Sequence, residues 1–477
     1  MRRAGTALAI AVAVAAVACA WVATDGALAA APAGSAQAPS TLETLTFRQG
    51  PIRVAPYQVA RQSDYRRPKR VPAPPGDGFI VGMHARVVDA EGRRIPVRRL
   101  MLHHVLFSKV VGEPGVPGRH RQAFYGTGEE DQALRLPAGY GYPISNGDRW
   151  LMGWMLMNHR SRTDSGYIEY EVTIDRSPGL KAVTPYWLSV AAYQPQPIFD
   201  VPGGGPPGAT HTMSSNWTLP EGGLLVAAGG HAHGGAKDLE ITQPSCGNRV
   251  LMTSSPLYGL PDNPVYKVRP VLHEPGPADM SWTQTAAGIP VGKGETLQVT
   301  AHYDAERLHT SAMGIMHAYV HHDPSVSSSC APPPGDLVTE RKPLPGRAAP
   351  PPVSVPLTAL DWRGRAHTIP QPPGPRRRYQ GEATVAVREL AFTPRNLSVP
   401  RGALVRWRFA GGSPAHAVTV ANGPVGFSSQ PLRGGGSFEH RLERAGTYRI
   451  LCSLHPVDMT QSIVVRPARR AELGQSR

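Results

Sequence analysis

Four side chains near the C-terminus carry the most specific chemistry in this sequence. Cys452-Ser-Leu-His455-Pro-Val-Asp-Met459 places a thiol, an imidazole and a thioether in one loop, and His416 lies upstream at a strand edge. A thiolate with two imidazoles and a weak thioether is the donor set of a trigonal electron-transfer copper site. Such a mixed set suits Cu(I) and Cu(II) alike, so little reorganises when an electron moves. A core cysteine with chance neighbours is the plainer reading, and it leaves the two histidines at loop positions unexplained.

Histidines also cluster upstream. His103-His104 sits in Met-Leu-His-His-Val-Leu-Phe, His159 ends the run from Trp150 to Asn158, and His231-Ala-His233 follows Gly229-Gly230. On a strand, residues i and i+2 share a face, so His231 and His233 can reach one metal. Adjacent His103 and His104 would point to opposite faces of a regular strand. They can share a metal only at a strand end or bulge.

The cysteines separate structure from chemistry. The chain of 477 residues has four. Met1-Arg2-Arg3, an apolar run from Ala4 to Val22 and Ala27-Leu28-Ala29 read as a secretory signal peptide cleaved near Ala29. Cys19 leaves with it, unless that cysteine is lipidated and anchors the protein to a membrane. In an oxidising compartment Cys246 and Cys330 are natural disulfide partners. Cys452 is then the odd thiol, and a metal is its obvious user. No later apolar run is long enough to span a membrane. Net charge is +15, but no basic stripe is interleaved with aromatics, so no nucleic-acid partner is expected.

The elements that must position these groups are strands. The chain carries 51 Gly and 50 Pro, which favours short strands joined by turns. Gly166 to Ile174 and Thr296 to Tyr303 alternate apolar and polar residues with period two. Residues 30–44 are Ala/Pro/Ser-rich and expected to be disordered. Residues 331–375 hold Ala331-Pro-Pro-Pro, Ala349-Pro-Pro-Pro and Gln371-Pro-Pro-Gly-Pro. They read as a semi-rigid linker, because proline lacks the N–H donor a sheet needs. Strands resume at Ala383 and lead to Ser462-Ile-Val-Val, a compact sandwich of Greek-key size over 376–467. A disordered tail is expected over 468–477.

The C-terminal ninety residues resemble the plastocyanin/amicyanin (cupredoxin) family. His416 matches that family's upstream histidine, and Cys452, His455 and Met459 match its loop ligands. The resemblance implies one type 1 copper. The upstream clusters, taken in order, resemble the copper type II ascorbate-dependent monooxygenases, the family of peptidylglycine α-hydroxylating monooxygenase and dopamine β-monooxygenase. That resemblance implies two jelly-roll-like β-sandwiches, here 45–195 and 196–330, and an all-β molecule overall. It implies an electron-transfer copper on His103, His104 and His159, and a catalytic, O2-activating copper on His231, His233 and Met313. Two imidazoles and a thioether favour Cu(I), the state that binds O2. Within Ser311-Ala-Met-Gly-Ile-Met316, Met316 is the alternative sulfur, and His302, His309 and His317 remain possible substitutes. Two positions depart from the peptide-hydroxylating pattern: Gly229 stands where an arginine grips the substrate carboxylate, and His317 stands near the place of a substrate-contacting tyrosine.

Together these readings describe a secreted, periplasmic or cell-surface copper protein. It is expected to be a copper-dependent monooxygenase with a fused electron-transfer domain, served by an external electron donor, O2 and a small organic substrate. The alternative is a non-enzymatic electron-transfer or copper-binding protein whose monooxygenase-like half is inactive.

Overall fold

Period-two alternation becomes two-faced strands throughout the chain. In Asp164–Asp175, Ile168, Tyr170, Val172 and Ile174 are all fully buried on one face. In Leu404–Phe409, Val405, Trp407 and Phe409 point inward while the residues between them are more exposed. A computed structural model describes residues 42–467, apart from 57–58, 63–67, 113–119, 161, 192–196, 204, 260–273, 275, 307, 344–357, 361–365, 369–370, 412–413 and 456–457. The expected signal peptide, Cys19 and the 468–477 tail lie outside these residues. Among the described residues the structure is all-β, with a single 3-10 turn at Pro244–Cys246, and no helix is long and apolar enough to cross a membrane.

The first sandwich faces two sheets. One runs Leu42–Val54, Asp164–Asp175, Gly78–Val88, Tyr140–Ile144 and Lys181–Ala182, with Leu134–Arg135 also on Gly78–Val88. The other runs Val59–Gln62, Trp150–Asn158, Leu100–Val111 and His120–Gly128, with Lys69–Val71 also on Trp150–Asn158. The second sandwich packs Thr184–Ser189, Gly314–His322, Gly223–Ala232, Trp282–Val291 and Val338–Glu340 against Thr210–Thr218, Thr296–Asp304, Ala236–Gln243 and Arg249–Ser254. The two sandwiches share apolar packing: Val226, Ala227, Trp282 and Tyr319 of the second belong to the core of the first.

The third sandwich has a core of its own, drawn from Ala383 to Val465. Its sheets run Arg377–Arg378, Asn396–Pro400, Thr460–Arg466, Gly446–Leu451, Thr419–Asn422 and Ala391–Thr393, Ala383–Arg388, Leu404–Phe409, Ser437–Arg441. Trp407 fills its centre, and its indole N–H donates to Gln461 Oε1 at 2.8 Å, so the polar edge of a fully buried ring is satisfied.

Three boundaries differ from the sequence expectation. Leu42–Val54 is already a strand paired along Asp164–Asp175, so order begins before residue 45. Thr184–Ser189 pairs with Gly314–His322, so the chain joins the second sandwich before residue 195. The 331–375 segment is also not wholly a linker. Val338–Glu340 adds to Trp282–Val291, and Asp336 ties it down by accepting from the Thr285 hydroxyl at 2.6 Å and the Ala286 and Ala287 amides at 2.8 and 3.0 Å. At its far end, Pro372, Pro373 and Gly374 carbonyls accept from the Asn396 amide. Proline lacks a donor, but its carbonyl still accepts. The Cys246–Cys330 disulfide is present, with Cα atoms 5.4 Å apart, and Cys452 is a free, buried thiol.

Candidate metal centres

The C-terminal centre is built where Gly446–Leu451 turns back into Thr460–Arg466. The turn is closed by its own backbone. Cys452 N–H donates to Met459 O, His455 N–H to Cys452 O, and Met459 N–H to His455 O, each at 3.0 Å. His416 is fixed from across the sandwich by a reciprocal backbone pair with Leu432 at 3.0 and 2.9 Å.

Cys452 Sγ then stands 3.9 Å from His416 Nδ1 and 3.6 Å from His455 Nδ1. One donor atom from each of the three residues lies within 4.8 Å of the others, the one such His/Cys/Asp/Glu group among the described residues. A metal with bonds of about 2.0 Å to nitrogen and 2.3 Å to sulfur separates its ligands by roughly 3.5–4 Å, so the spacing fits an ion at the centre. Met459 is fully buried beside them.

Protonation agrees with that use. Burial pushes the Cys452 thiol up, partly offset by backbone N–H groups including Ala417, which reaches Sγ at 3.4 Å. Burial also pushes His416 down, helped by the charge of His455, and pushes His455 down. The imidazoles are therefore held neutral with lone pairs available, while the thiol ionises only when a cation replaces its proton. His455 and the exposed Leu454 form the solvent edge of the centre.

The upstream histidines meet between the first two sandwiches. The pairing of Leu100–Val111 with Trp150–Asn158 slips between Leu102 and His104. This bulge sits at His103 and answers the objection from strand geometry. His103 and His104 turn to each other with Nδ1 atoms 2.9 Å apart. Their rings also meet the other pair: His103 lies 4.9 Å from His233 and His104 lies 6.4 Å from His231, between centroids, and His231 and His233 are 5.3 Å apart.

The structure thus gathers members of both expected ligand sets into one cluster. His159 follows the Trp150–Asn158 strand, with its backbone N–H on Arg99 O at 3.4 Å. That end of the ladder is the end of Leu100, three residues before His103.

Each imidazole of the His-x-His pair is oriented by a hydrogen bond at Nδ1. His231 Nδ1–H donates to Glu130 Oε1 at 3.0 Å, and His233 Nδ1–H donates to the Ser311 carbonyl at 2.7 Å. Both bonds fix the tautomer in which Nε2 carries the lone pair, as a metal requires. His231 Nε2 is buried without a hydrogen-bond partner. Burial resists charge on His231 and Glu130, yet each stabilises the charged form of the other: the carboxyl titrates below its ordinary value and the imidazole above.

Tyr303 joins the pair to the sulfur. Its hydroxyl accepts from His233 N–H at 3.0 Å and donates to the Met313 carbonyl. Met313 lines a cavity of about 30 Å³ with His104, His231, Trp187, Ile315 and His317, whereas Met316 packs into the core of the second sandwich. His317 is pushed down to about 3 by burial and by His231. His302 bonds Asp238 at 2.5 Å, and His309 bonds Glu274 at 2.6 Å.

Glu130, Ser311 and Tyr303 had no signal in the sequence analysis. Only the acidic run Glu129-Glu130-Asp131 in a basic chain could have drawn notice to the first of them.

No protein-family model matches the chain, and no curated protein is similar to it. Solved structures similar to part of it are cupredoxins. A purple cupredoxin from Nitrosopumilus maritimus is 26% identical over 18% of this chain and 99% of that one, with a TM-score of 0.16. An amicyanin variant in its reduced Cu(I) form is 22% identical over 18% and 85%, at 0.17. An oxidised amicyanin variant is 21% identical over 17% and 80%, at 0.16. At these TM-scores the reading of the site rests on the chain's own geometry.

Proposed function

We propose that this chain is an exported copper protein, a copper-dependent monooxygenase with a blue-copper electron-transfer domain fused at its C-terminus. The observation that carries the first part is the Cys452 thiol set against two neutral imidazole Nδ1 atoms at metal-ligand spacing. Copper at these donors would supply one-electron exchange at the thiolate centre and reactivity toward O2 at the imidazole–thioether centre, chemistry the side chains lack alone.

The remaining work falls to the chain. Glu130 and Ser311 hold His231 and His233 with Nε2 available for a ligand bond. Tyr303 carries Met313 beside them. Leu106, Trp187 and Ile315 keep the cavity apolar. At about 30 Å³ this space suits a diatomic or a few waters and is small for an organic substrate.

That small volume also favours the second reading, an electron carrier or copper-binding protein whose upstream half is inactive. Metal analysis with spectra separates the two. The mature protein is expected to bind one copper with intense thiolate-to-metal absorption, lost in Cys452→Ser, plus two weakly absorbing coppers. One blue copper and no other metal favours the carrier. Copper-dependent O2 consumption with a one-electron reductant is expected to be lost in His231→Ala; unchanged consumption would sink the monooxygenase assignment.

A further inference from the structure

Asp200 is a buried carboxylate that neither candidate centre uses as a ligand. It sits in the three-residue strand Phe199–Val201, which pairs with His309–Ala312. Phe199 and Val201 point into the core of the second sandwich, so Asp200, between them, points the other way. The third sandwich covers it. Asp200 Oδ2 accepts from Thr419 Oγ1 at 2.9 Å and from the Ser453 hydroxyl, while Oδ1 accepts from the Ser311 amide at 3.0 Å.

These partners matter because of what stands beside them. Ser453 follows Cys452 in the chain. Ser311 is the residue whose carbonyl accepts from His233 Nδ1. A continuous line therefore runs from Cys452 through Ser453, Asp200 and Ser311 to His233, with three hydrogen bonds as its only breaks in covalency.

The surrounding surface is made for close approach. Gly203 N–H donates to Val420 O at 3.2 Å. A Cβ on Gly426 would lie 2.8 Å from Gly203 O, so backbone meets backbone there.

We propose that Asp200 is a positioning residue that docks the C-terminal sandwich and couples its centre directly to the His231–His233–Met313 centre. This inference rests on the function proposed above and gives the electron a path to His233 that does not pass through His103, His104 or His159. With copper held by Cys452, His416 and His455 and by His231, His233 and Met313, one electron would pass from the first site to the second, so that the first would be oxidised by one unit and the second reduced by one unit. No bond of the bridge is made or broken and no proton moves. An external one-electron reductant, such as an ene-diol, restores the donor.

Asp200→Ala and the volume-conserving Thr419→Val test this in the full-length, copper-loaded chain. After flash reduction of the blue centre, recovery of its absorption reads electron transfer onward. Asp200→Ala is expected to slow that recovery at least tenfold and Thr419→Val by a smaller factor, with the blue spectrum itself retained. In the metal-free chain, Asp200→Ala is expected to speed hydrogen exchange of the Gly203 amide, whose N–H crosses the seam to Val420 O, by roughly tenfold or more, since the seam loses the two side-chain hydrogen bonds that Asp200 accepts across it. Unchanged recovery overturns the coupling, even if exchange rises. Unchanged exchange overturns the docking. A wild-type chain with no blue absorption sinks the proposed function instead.

Discussion

His309 shows how one side chain can set a stability profile. Its ring is buried, which alone would lower its pKa, but Glu274 at 2.6 Å and Asp304 raise it to about 9. A histidine whose folded value lies above its unfolded value of about 6.5 stabilises the fold fully below that pH. The contribution is lost as pH rises toward 9 and past it. It is on the order of 3–4 kcal/mol, since each tenfold change in proton affinity corresponds to about 1.4 kcal/mol and the shift spans about 2.5 such factors. Chemical denaturation of the metal-free protein is expected to show stability falling between pH 6.5 and 9, with a flatter profile in Glu274→Gln. Gly235 is a second single-residue lever. Its φ is +88°, and a Cβ there would stand 2.3 Å from the His309 ring. Gly235→Ala therefore combines a left-handed backbone with overpacking and is expected to cost about 2–4 kcal/mol, read from the denaturation midpoint. At this scale the sequence was legible where chemistry is local. Cys452, His455 and Met459 share one turn, so their spacing displayed their use. Glu130 lies 101 residues from His231, and no pattern along the chain announces such a partner.

At the scale of elements, alternation revealed the strands but not their pairing. His103 and His104 could share a metal only through an irregularity, and the slip opposite Trp150–Asn158 supplies it. A bulge leaves no composition signature here, so the pair looked weak until its partner strand was known. Val338–Glu340 was hidden for the opposite reason: proline on both sides marked its surroundings as a linker. An edge strand tolerates such flanks because only one of its sides needs donors. Its attachment leans on Asp336, whose carboxyl is held below its ordinary value first by the Thr285 hydroxyl and then by backbone amides. Asp336→Ala is expected to raise hydrogen exchange across Val338–Glu340 several-fold while Gly314–His322 stays protected. Equal protection in the variant would show that the prolines alone hold the strand.

At the scale of the whole molecule, the disulfide is the main covalent constraint. Cys246 and Cys330 close a loop with a sequence separation of 84, worth about 4–5 kcal/mol in the chain-entropy model. The Cys246→Ser/Cys330→Ser double variant is expected to lose about 2–5 kcal/mol from the unfolding of the first two sandwiches while keeping the absorption of the Cys452 centre. The 331–375 segment was expected to be a semi-rigid linker. The described ends of the 331–375 segment instead lie against the second and third sandwiches, and Asp200 seals the remaining contact. That arrangement was illegible because a carboxylate between Phe199 and Val201 reads only as one more alternating position.

The shared packing described for Val226, Ala227, Trp282 and Tyr319 bears on ancestry. Two sandwiches that complete one another's interior must be inherited as a pair, since a gene fragment encoding either alone would leave an apolar wall open to water. The third, with a self-contained interior and a seam that includes the hydrogen bonds to Asp200, is the portion that recombination can add, discard or exchange without dismantling the rest.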